Sequence, residues 1–149
     1  MTYHLAQLNI ATLLAPLDSP QLADFVANLD QINTLAENSD GFIWRLIEDC
    51  RDPQLAHPFP DNVIVNMSVW RDIEGLKAFA FKSAHVDIMR RRREWFAKMT
   101  TAYAALWWIP AGHQPTLAEA AERLAHLDQY GATEHAFTFA KPFASPALL

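Results

Sequence analysis

The chain has a single cysteine, Cys50, and only four glycines among its 149 residues. One cysteine cannot form an internal disulfide and fits a reducing compartment. The sequence contains no glycine-rich phosphate loop, no G-x-S-x-G segment and no cysteine pair at metal-ligand spacing. It therefore gives no support for a nucleotide, serine-hydrolase or zinc site, and we expect no cofactor and no metal.

Positive charge and long apolar runs are also scarce. The chain has 12 Lys and Arg against 17 Asp and Glu, a formal net charge of -5. This balance disfavours binding to nucleic acid or to an anionic membrane surface. The sequence shows no apolar run of membrane-spanning length and no signal-peptide pattern at its N-terminus. We expect a cytoplasmic protein with no nucleic-acid or membrane partner.

Apolar and aromatic side chains are plentiful. Hydrophobic residues make up 51% of the chain and charged residues 19%, and the length suits one domain with a substantial core. We therefore expect a single domain over residues 1–149. Five Trp and nine Phe exceed what a small core requires. Some of them are expected to line a pocket or a subunit interface.

The spacing of apolar residues predicts the element order β-α-β-β-α-β-α. Strands are expected over residues 3–10, 42–48, 62–70 and 103–110. Helices are expected over 20–38, over 72–99 with a bend near Ser83, and over 116–127, where a capping box opens the last helix. This order is typical of a ferredoxin-like α+β fold, an antiparallel sheet with helices on one face, here with an extra C-terminal helix.

The third predicted strand has two unlike faces. One face is aliphatic and consists of Val63, Val65, Met67 and Val69; the other mixes polar and apolar groups and consists of Asn62, Ile64, Asn66, Ser68 and Trp70. A sheet with helices on one side leaves its other face exposed. We therefore expect the aliphatic face to meet a second copy in a homodimer, and the mixed face to look toward the helices.

Residues 83–96 place polar side chains within an apolar helical arc. At about 100° per residue, His85 and Arg92 fall inside this arc, whereas Arg90 and Arg91 point away. A buried guanidinium needs an anionic partner, which is either a protein carboxylate or a ligand. His85 is either a hydrogen-bonded structural residue or a pocket residue that acts as acid or base near neutral pH.

Other polar residues join this pattern. Asn33 lies within the apolar arc of the first predicted helix, and Asn66 lies on the mixed face of the third strand. Together with His85 and Arg92 they predict a small-molecule pocket between the sheet and the helices. The proline-bearing loop 50–61 is expected to be mobile, or to cover this pocket.

Five segments resemble one bacterial family. They are residues 4–10 (HLAQLNI), 42–45 (FIWR), 66–70 (NMSVW), 83–96 (SAHVDIMRRRREWF) and 107–113 (WWIPAGH). This pattern, spread over nearly the whole chain, resembles the DUF3291 proteins, a family of unknown function. That family is placed with the dimeric α+β barrels, alongside the antibiotic-biosynthesis monooxygenases. The resemblance implies the same fold that the periodicity predicts.

A looser resemblance concerns the site. Small cofactor-independent monooxygenases of this fold hold a phenolic substrate with an Asn and a Trp on one strand and an Arg and a Tyr nearby. Asn66 and Trp70 match the strand pair in spacing, and Arg92 can stand for the arginine. Leu76 occupies the place of the tyrosine. We expect Trp44 and Trp108 to contribute further to substrate binding.

Three functional hypotheses follow. The first is an enzyme, monooxygenase-like, that acts on an aromatic or anionic metabolite, with His85 as acid or base, Arg92 binding the anion and Asn66 orienting the substrate. The second is a non-catalytic protein that binds a small ligand in the same pocket. The third is a haem-binding barrel with a histidine ligand, which a colourless purified protein would exclude.

Overall fold

The computed structural model describes residues 2–47, 59–60, 62–82 and 85–146. The side chains of Lys82, His85 and Ile88 are not among those described. The predicted loop 50–61 lies outside the described residues except for Phe59 and Pro60.

The predicted order of strands and helices is confirmed, except that three short helices stand where one bent helix was predicted over 72–99. The strands are β1 (Tyr3–Thr12), β2 (Phe42–Arg45), β3 (Val63–Trp70) and β4 (Ala104–Pro110). The helices are α1 (Ala23–Glu37), α2 (Ile73–Lys82), α3 (His85–Arg90), α4 (Arg92–Trp95) and α5 (Leu117–Tyr130). Helix α5 begins with the predicted cap, because the Glu119 N–H donates to Thr116 Oγ1, and it ends at Gly131, whose φ is 76°. In the described residues, no helix combines the length and apolar character needed to cross a bilayer.

The four strands form one antiparallel sheet in the order β2-β3-β1-β4. This is the ferredoxin-like arrangement, so the predicted fold class is confirmed. The register of the central pair places Gln7 opposite Ser68 and Asn9 opposite Asn66. Since facing residues of an antiparallel pair point to the same side of the sheet, these four side chains share one face.

One face of the sheet, the aliphatic face, is buried within the chain. It consists of Ala6, Leu8, Ile10, Val63, Val65, Met67, Val69, Ala105, Trp107 and Ile109. These residues belong to one apolar cluster with Ala120, Leu124 and Leu127 of α5, and the helix lies chiefly against β4. The Trp107 Nε1–H also donates to Glu119 Oε2 at 2.8 Å. The expectation that a single chain leaves this face exposed was therefore wrong. On β3, the side chains of Val63, Met67 and Val69 are at most 5% exposed in a single chain. An exposed aliphatic face therefore gives no support for the homodimer, which stays a prediction.

The other face, the mixed face, lies under α1 and α2 and carries two separate apolar clusters. The first cluster is formed by Leu5, Trp70 and Leu106 of the sheet with Ala36, Leu76 and Phe137. The second is formed by Leu22, Phe25 and Trp95, with Leu29 and Ile64 packed against them. The predicted orientation of this face toward the helices is confirmed.

The segment after α5 crosses the edge of the sheet. Phe137 forms an isolated antiparallel bridge with Leu106 of β4, through two backbone hydrogen bonds. Phe139 and Phe143 then pack against the first cluster of the mixed face, and the Trp108 Nε1–H donates to the Phe143 carbonyl. The chain thus packs α5 on the β4 side of the aliphatic face and closes the β4 edge with its tail.

Candidate functional site

Four polar side chains lie together in the middle of the mixed face, between its two apolar clusters. We call Gln7 and Asn9 of β1, with Asn66 and Ser68 of β3, the polar band. The rows of the sheet on either side are apolar: Leu5 faces Trp70 on one side, and Ala11 faces Ile64 on the other. A band of amides and a hydroxyl between two hydrophobic clusters is a costly arrangement unless its polar groups are satisfied.

Hydrogen bonds within the sheet organise the band. Gln7 Nε2 donates to Asn66 Oδ1 at 2.6 Å and to Ser68 Oγ at 2.8 Å. The Trp70 Nε1–H donates to the same Ser68 Oγ at 2.8 Å. Ser68 is only 7% exposed and Trp70 only 1%, whereas Asn66 is exposed. The band is therefore anchored at its buried end and open to solvent at Asn66.

One cation borders the band. Arg45 of β2 lies opposite Ser68 in the sheet register. Its Nε donates to Glu37 Oε1, at the end of α1, at 2.6 Å, and its side chain is 23% exposed. The guanidinium is thus held by a protein carboxylate, and the band itself consists of neutral groups.

Two of the predicted binding residues, Asn66 and Asn33, fit this site. Asn66 belongs to the band and is exposed. Asn33 is half-buried, on the side of α1 that contributes Leu29 to one cluster and Ala36 to the other. The Asn33 side chain makes no hydrogen bond with another described residue. Its spacing from Leu29 and Ala36 sets it between the two clusters, which flank the band.

The three predicted tryptophans have other environments. Trp70 is buried between Phe42 and Phe79. The centroid of its ring lies 5.5 Å from that of Phe42 and 5.4 Å from that of Phe79. It therefore offers no surface to a ligand and acts on the band through Ser68. Trp44 pairs with Val69 and packs on the aliphatic face, away from the band. Trp108 lies on the mixed face, but its indole is engaged by the C-terminal tail.

The predicted burial of Arg92 was wrong. The helix does not continue to Met99: the chain turns at Arg91, α4 ends at Trp95, and the extended Phe96 bridges to Leu13. Helical angles counted from His85 therefore fail beyond this turn, and Arg92 is exposed. His85 begins α3, and its side chain lies outside the description, so its catalytic role stays a prediction.

Arg91 makes the contacts that we had expected of Arg92. Its guanidinium pairs with Glu94 and Asp24, each at 2.8 Å, and lies 4.9 Å from the centroid of the Trp95 ring. Its hydrogen bonds to Glu94 and Asp24 raise the pKa of Arg91 above its ordinary value, and the bond that Glu94 accepts from Arg91 lowers the pKa of Glu94. The cluster ties α4 to the start of α1 and has a structural role.

Sequence reasoning did not select Gln7 or Arg45. The alternation of β1 places Gln7 on the same face as Leu5, which was a usable signal. The functional importance of Gln7 and Arg45 depends on how the strands pair. The register sets Gln7 opposite Ser68, and the bulge in β2 sets Arg45 beside them. Neither the register nor the bulge can be read from the chain.

A depression lies away from the band, at the N-terminal end of α2. It is a cavity of about 300 Å³ whose lining includes Asp40, Arg71, Asp72 and Gly75. Arg71 pairs with both Asp40 and Asp72, and the Gly75 N–H donates to Asp72. Because these charged groups pair with one another, we take the polar band as the candidate site. No group of three or more potential metal ligands occurs among the described residues.

Comparison with known protein families identifies the family of this chain. The family model described as "Domain of unknown function (DUF3291)" matches residues 4–149. The chain belongs to the DUF3291 family. This confirms the resemblance carried by the five sequence segments. Among curated proteins, none matches this DUF3291 chain.

Two solved structures are similar to this DUF3291 protein at low identity. One is a protein of unknown function from Nitrosomonas europaea, with 14% identity, 77% of this chain and 97% of that chain covered, and a TM-score of 0.48. The other is SnoaB, a cofactor-independent oxygenase from Streptomyces nogalater, with 15% identity, 74% and 95% covered, and a TM-score of 0.49. Likeness at this level says nothing about the activity of the present chain.

Proposed function

We propose that this DUF3291 protein is a small-molecule enzyme, monooxygenase-like and free of a bound cofactor, that binds an aromatic or anionic metabolite on the polar band. The observation that carries the proposal is the opening of an anchored row of amides, at Asn66, between two apolar clusters. Small-molecule sites typically combine apolar walls with a few fixed polar groups. An aromatic ring would lie against the clusters, and its oxygen substituents would meet the band.

The neutral groups of the band suit one catalytic task. Amide N–H groups held in place stabilise negative charge that develops on a substrate oxygen, without taking or giving a proton. In this proposal Asn66 orients the substrate, and Asn33 approaches it from α1. His85 remains the candidate acid or base. Arg92 remains a candidate for anion recognition, as an exposed cation that forms no ion pair with another described residue.

A non-catalytic binding protein is the second candidate. It is favoured by the absence of an unpaired acid or base on the band in the described part of the chain, since Arg45 is held by Glu37. The haem alternative draws less support. His4 points to the aliphatic face, and His113, His126 and His135 contact α5 or lie on it, so none of these four offers an axial ligand at the band.

Turnover separates the two candidates. Protein purified from its own host is examined by native mass spectrometry for a retained small molecule, and that molecule is then incubated with the protein in air-saturated buffer. The enzyme proposal predicts consumption of the compound with uptake of dioxygen and a changed product mass. Retention of an unchanged compound over many hours, with no dioxygen uptake, would support the binding protein and contradict the enzyme.

A further inference from the structure

The hydrogen-bond directions in the polar band are set by Gln7. A side-chain amide has two N–H donors on one side and a carbonyl acceptor on the other, so each contact fixes which side faces which neighbour. Gln7 Nε2 lies 2.6 Å from Asn66 Oδ1 and 2.8 Å from Ser68 Oγ. Both N–H groups of Gln7 are therefore used within the sheet.

The orientation of Gln7 decides what Asn66 presents to solvent. Because Asn66 Oδ1 accepts from Gln7, its Nδ2 group, with two N–H donors, is turned away from Gln7. Asn66 is exposed, and its Nδ2 makes no hydrogen bond with another described residue. The open end of the band therefore presents donors.

Ser68 also presents a hydrogen-bond donor. Its Oγ accepts from both Gln7 and Trp70, and an indole N–H can only donate. Both lone pairs of the hydroxyl are then used, and its own hydrogen remains available. Within the described residues this hydrogen meets no acceptor. It is a second donor beside Asn66.

A reversed network is chemically possible. If the amides of Gln7 and Asn66 both turned over, the Ser68 hydroxyl and Asn66 Nδ2 would donate to Gln7 Oε1. Asn66 would then present its carbonyl, an acceptor, to solvent. The two arrangements have nearly the same shape and opposite preferences for a ligand.

We propose that Gln7 is the positioning residue that holds the band in its donor arrangement, and that the site consequently takes a ligand through an oxygen acceptor, such as a carboxylate, phenolate or carbonyl. The ligand part rests on the proposed function, since it needs a molecule bound at the band. The positioning part concerns the free protein alone. Gln7 touches no substrate in this scheme and acts through Asn66 and Ser68.

Replacing Gln7 by an acceptor-only group reverses the network. In Gln7→Glu the ionised carboxylate has no N–H, so Ser68 and Asn66 Nδ2 must donate to it, and Asn66 turns its carbonyl outward. Gln7→Met removes both donor and acceptor at similar length. Gln31→Glu, at an exposed position of α1, is the control with the same change in charge.

The first readout needs no ligand. In ¹H–¹⁵N spectra of the free protein, the side-chain NH₂ resonance of Asn66, assigned with Asn66→Asp, should shift downfield and gain exchange protection in Gln7→Glu. It should be unchanged in Gln31→Glu. An Asn66 resonance identical in the original protein and in Gln7→Glu would overturn the positioning role. The Trp70 indole N–H resonance shows in each variant whether Ser68 still accepts.

The second readout uses two probes with the same ring, 2-naphthoate, which offers acceptors, and 2-naphthylmethylamine, which offers donors. The original protein should bind the naphthoate about tenfold more tightly, as a hydrogen bond to a charged group allows. Gln7→Met should bring the preference within about twofold, and Gln7→Glu should reverse it. The same preference in all variants would overturn the proposal. If neither probe binds but the Asn66 resonance moves, the ligand site is contradicted and the role of Gln7 in the free protein stands.

Discussion

At the scale of single residues, Arg91 and Arg92 are neighbours with different environments. Arg91 joins Asp24 and Glu94 and lies over Trp95, whereas Arg92 is exposed. Arg92→Ala should change the free energy of unfolding by less than about 0.5 kcal/mol, as exposed sites usually do. Arg91→Ala should lower the melting temperature more, because it removes two ion pairs and a cation–π contact. Equal melting curves for the two variants at low salt would contradict the assignment.

The pH dependence of this difference has a definite sign. The Arg91 hydrogen bond lowers the pKa of Glu94, so the stabilisation it brings is present above the ordinary pKa of a glutamate. It is lost as the pH falls through the lowered value, because the protonated carboxyl no longer attracts the guanidinium. The melting-temperature gap between the original protein and Arg91→Ala should therefore be full at pH 7. It should narrow as the pH falls through the lowered pKa of Glu94, without vanishing, because the contact of Arg91 with Trp95 does not depend on Glu94.

Residue types indicated the site only in part. Asn66 and Asn33 could be selected from strand alternation and helical periodicity, because each interrupts a local apolar pattern. Gln7 shares a face with Leu5 in the predicted alternation, but its role depends on partners 59 and 61 positions away in the chain. Arg92 was wrongly predicted to be buried, because one turn at Arg91 rotates every later side chain out of the helical count.

At the scale of elements, α5 buries part of the aliphatic face. Its stripe of Ala120, Leu124 and Leu127 joins the apolar cluster of that face, chiefly beside β4. Periodicity and the capping box predicted this helix and its start correctly, and the helix runs three residues beyond the predicted end, to Tyr130. They could not predict which face it covers, because that depends on the path of the loop after β4.

Loss of packing under α5 should be measurable. Leu124 is 7% exposed, and Leu124→Ala should lower the free energy of unfolding by about 2–4 kcal/mol through lost burial and the cavity left behind. Leu14→Ala, at an exposed position, is the matched control and should cost much less. Chemical denaturation of both variants checks this, and similar losses would argue against the observed docking of α5.

At the scale of the whole molecule, the burial of the aliphatic face within one chain changes what is expected of assembly. Met67 is buried on the aliphatic face of a single chain, so Met67→Glu places a charge in the core and should abolish cooperative folding. Ile43→Glu, at an exposed position of β2, should remain folded. Light scattering and circular dichroism of both variants test this. A dimer that Met67→Glu converts into a well-folded monomer would show that the aliphatic face is a subunit interface after all.

The central claim is that a small molecule is held on the polar band at Asn66. Native mass spectrometry of protein purified from its own host measures this most directly, for the original chain, for Asn66→Ala and for Asn62→Ala, an exposed asparagine just before β3. The account predicts a retained compound on the original protein and on Asn62→Ala. It predicts a loss of about tenfold or more in occupancy on Asn66→Ala, because the exposed donor is removed. Equal occupancy on all three proteins would place the ligand elsewhere and contradict the account.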